Sequence, residues 1–112
     1  METLVNLNVG GIYFVTRRST LSAVESFFSG IVETHPDCTE LFIDRDPTHF
    51  RYILNWLRGV RVLPDDDMTL RELMWEADYY CMTDMLEAIT TTKTRFSLNK
   101  SLHDISVAVQ LR

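Results

Sequence analysis

The residues of this chain best suited to engage another molecule form an acid–base–acid triplet. Asp44-Arg45-Asp46 stands directly before Pro47 in the stretch LFIDRDPTHFRYILNWLRG, Leu41 to Gly59. Asp46 can be accounted for locally, as a helix N-cap followed by proline at the first helical position, where its missing N–H costs nothing. Asp44 and Arg45 are not needed for that cap. A carboxylate beside a guanidinium at the end of an element suits reciprocal contacts. In a ring of identical subunits, Arg45 of one copy can meet a carboxylate of the next through charge-assisted hydrogen bonds. A solvated turn is the plainer reading of the same residues.

The other candidate chemistries are weaker. His35, His49 and His103 fall in a loop, on a helix and in the tail; His35 and Cys38 are three apart, and Cys81 is alone on a helix. A closed zinc site takes four ligands, and neither CxxC nor HxxxH occurs, so no metal is expected and Cys81 is assigned to the core. Asp44, Asp46 and the run Asp65–Asp67 lack the EF-hand spacing and read as caps and solvated loop. Gly10-Gly11 belongs to neither GxGxxG nor Gly-Lys-Ser/Thr and serves as a turn. Nothing orders a Ser/His/Asp set. No catalytic residue, no cofactor and no enzymatic activity is expected.

The elements that must position the triplet can be read from periodicity. The chain has 112 residues, 46% hydrophobic and 24% charged, which fits one globular domain. Leu4–Val9 and Ile12–Thr16 are β-prone runs around Gly10-Gly11 and read as a hairpin. After the polar connection Arg17–Thr20, Ser22-Ala23-Val24-Glu25 fits a capping box, and Leu21, Val24, Phe27, Phe28 and Ile31 give a helix one apolar face, ending at His35-Pro36-Asp37. Leu41-Phe42-Ile43 reads as a short buried strand. Phe50, Ile53, Leu54 and Leu57 then follow at helical spacing, with Gly59 in the position after the helix. Val60–Leu63 suggests another short strand. Thr69-Leu70-Arg71-Glu72 fits a second capping box, ahead of the stripe Leu70, Leu73, Met74, Ala77, Tyr80 and Cys81. Thr83 or Asp84 starts a last helix with Met85, Leu86 and Ile89. Thr90–Thr94 reads as a linker, and the alternation of Ile105, Val107, Val109 and Leu111 predicts a β-like tail.

Charge and hydropathy limit the partners. Residues 1–92 carry 7 basic and 15 acidic side chains, whereas residues 93–112 carry 4 basic and 1 acidic. An acidic body repels phosphate backbones, so no nucleic acid is expected as a ligand. No apolar run approaches the ~18 residues of a membrane span, and METLVNLNVGG leads straight into a strand without a signal peptide. Two cysteines fit a reducing compartment, and a cytoplasmic location is expected.

Taken together, VNLNVGG with Phe14 and Thr16, STL with Phe27-Phe28, FIDRDP, Phe50, ILNWLRG, LP and EADYY resemble the BTB/POZ domain of the potassium-channel-tetramerisation type. The likeness runs from about Leu4 to Ile89, and FIDRDP with ILNWLR is closer to the KCTD-type proteins than to the channels. The His-x5-Cys and paired cysteines of zinc-bridged channel domains are missing. The resemblance implies an α+β BTB/POZ fold, with a small three-stranded sheet and a cluster of helices, over residues 1–90. Residues 91–112 would be a linker and a hairpin or the start of a C-terminal region. It also implies a homo-oligomer, tetramer or pentamer, with Asp44, Arg45, Asp46 and Arg58 at the subunit interface. For many KCTD-type members it implies recruitment of cullin-3 as substrate adaptor of a ubiquitin ligase. The competing expectation is a pure assembly domain without cullin binding. A cullin needs exposed apolar anchors. Tyr80 belongs to the apolar stripe, which leaves Tyr79, with Met82 nearby, as the expected partner-binding residues.

Overall fold

The computed structural model describes residues 2–95. It contains three strands, β1 (Leu4–Val9), β2 (Ile12–Arg17) and β3 (Glu40–Ile43), and four helices with defined ends: α1 (Arg18–Ser22), α2 (Phe27–Thr34), α3 (Phe50–Leu57) and α4 (Asp67–Tyr79). A fifth helix, α5, covers residues 83–95. The strands form one mixed sheet in the order β2-β1-β3. β1 and β2 are antiparallel, with Val9 opposite Ile12, and β3 lies parallel to β1, with Val9 beside Ile43.

The expected hairpin forms because Gly10 and Gly11 both take positive φ, +56° and +100°, which closes a two-residue turn. Asn8 Oδ1 accepts the Gly11 N–H at 2.8 Å. Gly10 has a second constraint. A Cβ built there would collide with the carbonyl oxygen of Arg45 and lie 3.3 Å from Pro47 Cδ. The hairpin turn is therefore pressed against the backbone of the Asp44-Arg45-Asp46 corner, and Gly10 N–H donates to Ile43 O across it at 2.9 Å.

One face of the sheet, Val5, Leu7, Val9 and Ile43, packs on Phe28, the α3 residues Phe50, Ile53, Leu54, Trp56 and Leu57, and the α4 residues Leu70, Leu73 and Ala77. The apolar face expected for α3 is thus the core. Its C-terminus is closed as expected by Gly59 at φ +89°, with Gly59 N–H donating to Trp56 O and Val60 N–H to Asn55 O, a Schellman pair.

Several expectations are corrected. The polar connection after β2 contains α1, held by burial of Leu21 and by Arg18 Nη2 donating to Cys38 O at 2.6 Å. The capping box before α2 is Ser26 with Ser29, four residues beyond Ser22–Glu25. Ser22–Glu25 fits the usual Ser/Thr-x-x-Glu/Gln pattern, whereas Ser29 puts a hydroxyl where that pattern has a carboxylate or amide. The later box lets Phe27 N–H donate to Tyr80 O while Phe28 stacks on the Tyr80 ring at 4.9 Å. Strand β3 is half buried, since Phe42 faces outward. Asp46 caps the turn before α3 rather than the helix itself: its carboxylate accepts the N–H and hydroxyl of Thr48, and α3 begins at Phe50. Val60–Leu63 forms no strand. Asp66, not Thr69, caps α4, accepting Thr69 N–H at 2.8 Å. The threonines read as a linker are helical, with Thr90, Thr91, Thr92 and Thr94 hydroxyls donating to carbonyls one turn back. The expected β-like tail lies, from residue 96 onward, outside the described residues.

Candidate functional site

The corner between β3 and α3 and the outer face of α4 form one surface. Arg45 leaves the corner and reaches across to α4. There its Nε donates to Glu76 Oε1 at 3.2 Å and its Nη2 to Glu76 Oε2 at 2.5 Å. The same guanidinium lies 4.4 Å over the ring of Tyr79. Glu76 and Tyr79 are neighbours at i, i+3 on the helix, so one side chain can grip both. The hydrogen bond to Glu76 raises the Arg45 pKa further above its ordinary value, and desolvation opposes this. Arg45 thus has a carboxylate partner within its own chain. A guanidinium has five N–H donors, and the two contacts to Glu76 use only part of that set.

Asp44 and Asp46 flank this grip and are exposed. Among the described residues, the Asp44 carboxylate has no hydrogen-bond partner. Asp46 is engaged locally by Thr48, and those hydrogen bonds hold its carboxyl below the ordinary carboxylate range. Arg58 lies elsewhere. It follows α3, and its Nη2 donates to Val15 O of β2 at 3.2 Å. The four residues expected at a subunit contact therefore occupy two places, three at the corner and one beside the sheet.

Of the two expected partner-binding residues, Tyr79 is exposed and Met82 is not. Tyr79 is 41% exposed and packs edge-on to Tyr80, which is fully buried as expected; burial pushes the Tyr80 phenol above its ordinary pKa. Met82 is 0% exposed. Helix α4 ends in a second Schellman pair, with Cys81 N–H donating to Asp78 O and Met82 N–H to Ala77 O. That motif turns the residue after the left-handed position inward against the last turn. The left-handed position is Cys81 at φ +55°, which is exposed rather than in the core.

Sequence reasoning missed Glu76, Glu72 and Trp75. Met68, Glu72, Trp75 and Tyr79 recur at i, i+4, i+7 and i+11, a stripe on the side of α4 opposite Leu70, Leu73 and Ala77. Met68 and Trp75 are 71% and 62% exposed. Glu72 Oε2 lies 2.8 Å from His49 Nε2, joining the start of α3 to α4. A second apolar stripe in a helix whose first stripe already fills the core is the signal that could have found Trp75, whereas Glu72 and Glu76 are marked by no such pattern. Among the described residues, no group of three or more His, Cys, Asp or Glu is placed to hold a metal, and no helix is long and apolar enough to cross a membrane.

This fold, with its small mixed sheet and helical cluster, is that of a BTB/POZ domain. The chain matches the BTB/POZ domain family over residues 5–89 and belongs to it, as a KCTD-like member. It is similar to FH protein interacting protein FIP2 of Arabidopsis thaliana, 38% identical over 104 residues, covering 83% of this chain and 34% of that protein. It is similar to human BTB/POZ domain-containing protein KCTD21, 38% identical over 104 residues, covering 87% of this chain and 40% of the relative. Human KCTD5 is 34% identical over 93 residues, covering 76% of this chain and 40% of the relative. The chain therefore spans about a third to two fifths of the length of these relatives. Domains of this family are protein-interaction modules that generally self-associate.

Proposed function

We propose that this domain assembles into a closed ring of four or five copies and serves as a substrate adaptor of a cullin-3 ubiquitin ligase, in the cytoplasm and without catalysis of its own. The observation that carries the reading is a pair of exposed patches that adjoin where Arg45 meets Tyr79. The Asp44–Asp46 corner and Arg58 offer charges for contacts between copies. The outer stripe of α4 offers Met68, Trp75 and Tyr79 as anchors for a partner. Specific interfaces draw most of their energy from a few such buried aromatic and aliphatic groups. Arg45 contributes by fixing the Tyr79 ring, which lowers the ordering cost of docking.

The test is a molar mass by light scattering, with and without the cullin-3 amino-terminal domain at ~10 μM, above the range of ordinary specific complexes. A ring mass that rises with cullin-3 supports the adaptor. A ring that ignores cullin-3 leaves a pure assembly domain. A monomer defeats both.

A further inference from the structure

Helix α4 has a groove on each side of its exposed stripe. One, of about 320 Å³, lies where the end of α5 meets α4 and is lined by Met74, Thr90, Lys93 and Thr94. The other, of about 280 Å³, lies between α4 and the start of α3 and is lined by Asp46, Thr48, His49, Glu72, Trp75 and Glu76. Trp75 is its exposed aromatic wall. Its acids have local partners: Asp46 has Thr48, Glu72 has His49 and Glu76 has Arg45. With one guanidinium against three carboxylates, this second groove keeps an excess of negative charge. Arg71, on α4 between the two grooves, is tied to Asp67.

The distance between the grooves is short. Helical residues advance about 100° each, so from Met74 Trp75 stands just past a quarter turn and Glu72, in the same direction, just short of half a turn. On a helix 10–12 Å across, the surface path from Met74 to Glu72 is about 15 Å. The described residues end at Arg95, beside the first groove, and the five residues from there to Lys100 reach about 17 Å when extended. Their chemistry suits the path. Residues 93–112 carry 4 basic and 1 acidic side chains, against 7 and 15 in residues 1–92. At the two-residue period of an extended chain, Phe96, Leu98 and Lys100 fall on one side, two apolar groups and then a cation. The surface of α4 offers the same order, the exposed indole of Trp75 and then the carboxylate of Glu72.

We propose that the chain's own segment Phe96 to Lys100 docks across the outer stripe of α4, with the Lys100 ammonium in the groove beside Trp75 and Glu72, and so masks the stripe from other partners. The ammonium gains from the carboxylates and from the face of the indole. Because the segment is tethered next to its site, its effective concentration is of millimolar order, and a contact too weak between separate molecules holds within one chain. The masking rests on the partner-binding role proposed above for the stripe; the docking does not. A partner that binds the stripe must first displace the segment, which lowers its apparent affinity by the fraction of chains in which the stripe is open.

Trp75 is the reporter, because the chain's other tryptophan, Trp56, is 4% exposed and shielded from a dissolved quencher. Acrylamide quenching is measured on the full chain, wild type, Lys100→Glu, Glu72→Lys and the two combined, with folding checked by circular dichroism. Each single substitution is expected to raise the quenching constant about two-fold as attraction turns to repulsion, and the combined swap to return it toward wild type. Should Glu72→Lys fail to fold, Lys100→Glu and wild type in 0.5 M salt, where the Debye length is below about 5 Å, carry the test. Binding of the cullin-3 amino-terminal domain is expected to tighten several-fold in Lys100→Glu. Equal quenching of wild type and Lys100→Glu overturns the docking. Protection that survives Lys100→Glu but disappears on dilution assigns the cover to a second copy and overturns it equally. Release of Trp75 in Lys100→Glu without any cullin-3 binding upholds the docking and removes only the cullin-3 reading.

Discussion

Arg45 and Glu76, 31 residues apart in sequence, form an ion pair with two hydrogen bonds that fastens the β3–α3 corner to helix α4. The Arg45 side chain is 30% exposed and that of Glu76 14%, so solvent screens the pair only in part. A double-mutant cycle with Arg45→Met and Glu76→Gln, measured by urea denaturation at fixed protomer concentration, should give a coupling energy of about 1 kcal/mol. Coupling indistinguishable from zero would mean that the corner is held by backbone contacts alone.

Leu54 is 1% exposed in the centre of the core. Leu54→Ala should lower stability by roughly 2–5 kcal/mol through lost transfer energy and a residual cavity. Trp75→Ala, on the exposed stripe of α4, should leave the midpoint of denaturation nearly unchanged. Equal effects from the two substitutions would contradict the assignment of the inner and outer faces.

The Asp66 carboxyl is held below its ordinary pKa by the hydroxyl and N–H of Thr69. A depressed carboxylate contributes stability that is present above its unfolded pKa, about 3.9, and is lost as pH falls through the lower folded value. Asparagine also caps a helix N-terminus. Asp66→Asn should therefore fold normally at pH 7, and its stability should fall less steeply than wild type below about pH 4. Parallel acid limbs in thermal melts would show that the cap does not titrate as described.

Tyr79→Ala removes the ring beneath the Arg45 guanidinium. Under the function proposed above, this variant should keep the ring mass and weaken binding of the cullin-3 amino-terminal domain. A smaller mass by light scattering would place Tyr79 between copies instead.

The positions of the core and the main helices are legible in the sequence because both rest on local periodicity. Phe50, Ile53, Leu54 and Leu57 share a face at any tertiary arrangement with a helix there. Helix starts are less legible, since Ser22–Glu25 fits the usual capping pattern while the box that forms, Ser26–Ser29, has serine where that pattern has Glu or Gln, and Phe27 beside it is tied to the distant Tyr80 carbonyl. Met82 reads as surface until the left-handed Cys81 turns it inward, a backbone event that no side-chain pattern announces. The triplet stands out by composition, but its partner Glu76 depends on a contact formed by the fold, and no spacing rule connects residues 31 apart. Arg58 groups with the corner in the sequence, yet the end of α3 carries it to the far side of the sheet.

The parallel placement of β3 beside β1 has a kinetic consequence. Ile43 pairs with Val9 across the intervening β2, α1 and α2, and pairings of such long sequence separation are slow to close. The corner that follows Ile43 is shaped only once that closure brings it against Gly10. In refolding, multimer mass should therefore appear no earlier than the slowest single-chain phase. A nascent or damaged chain that stalls before the crossover has a core in the making but no finished corner; under the function proposed above, assembly would then admit only completed copies.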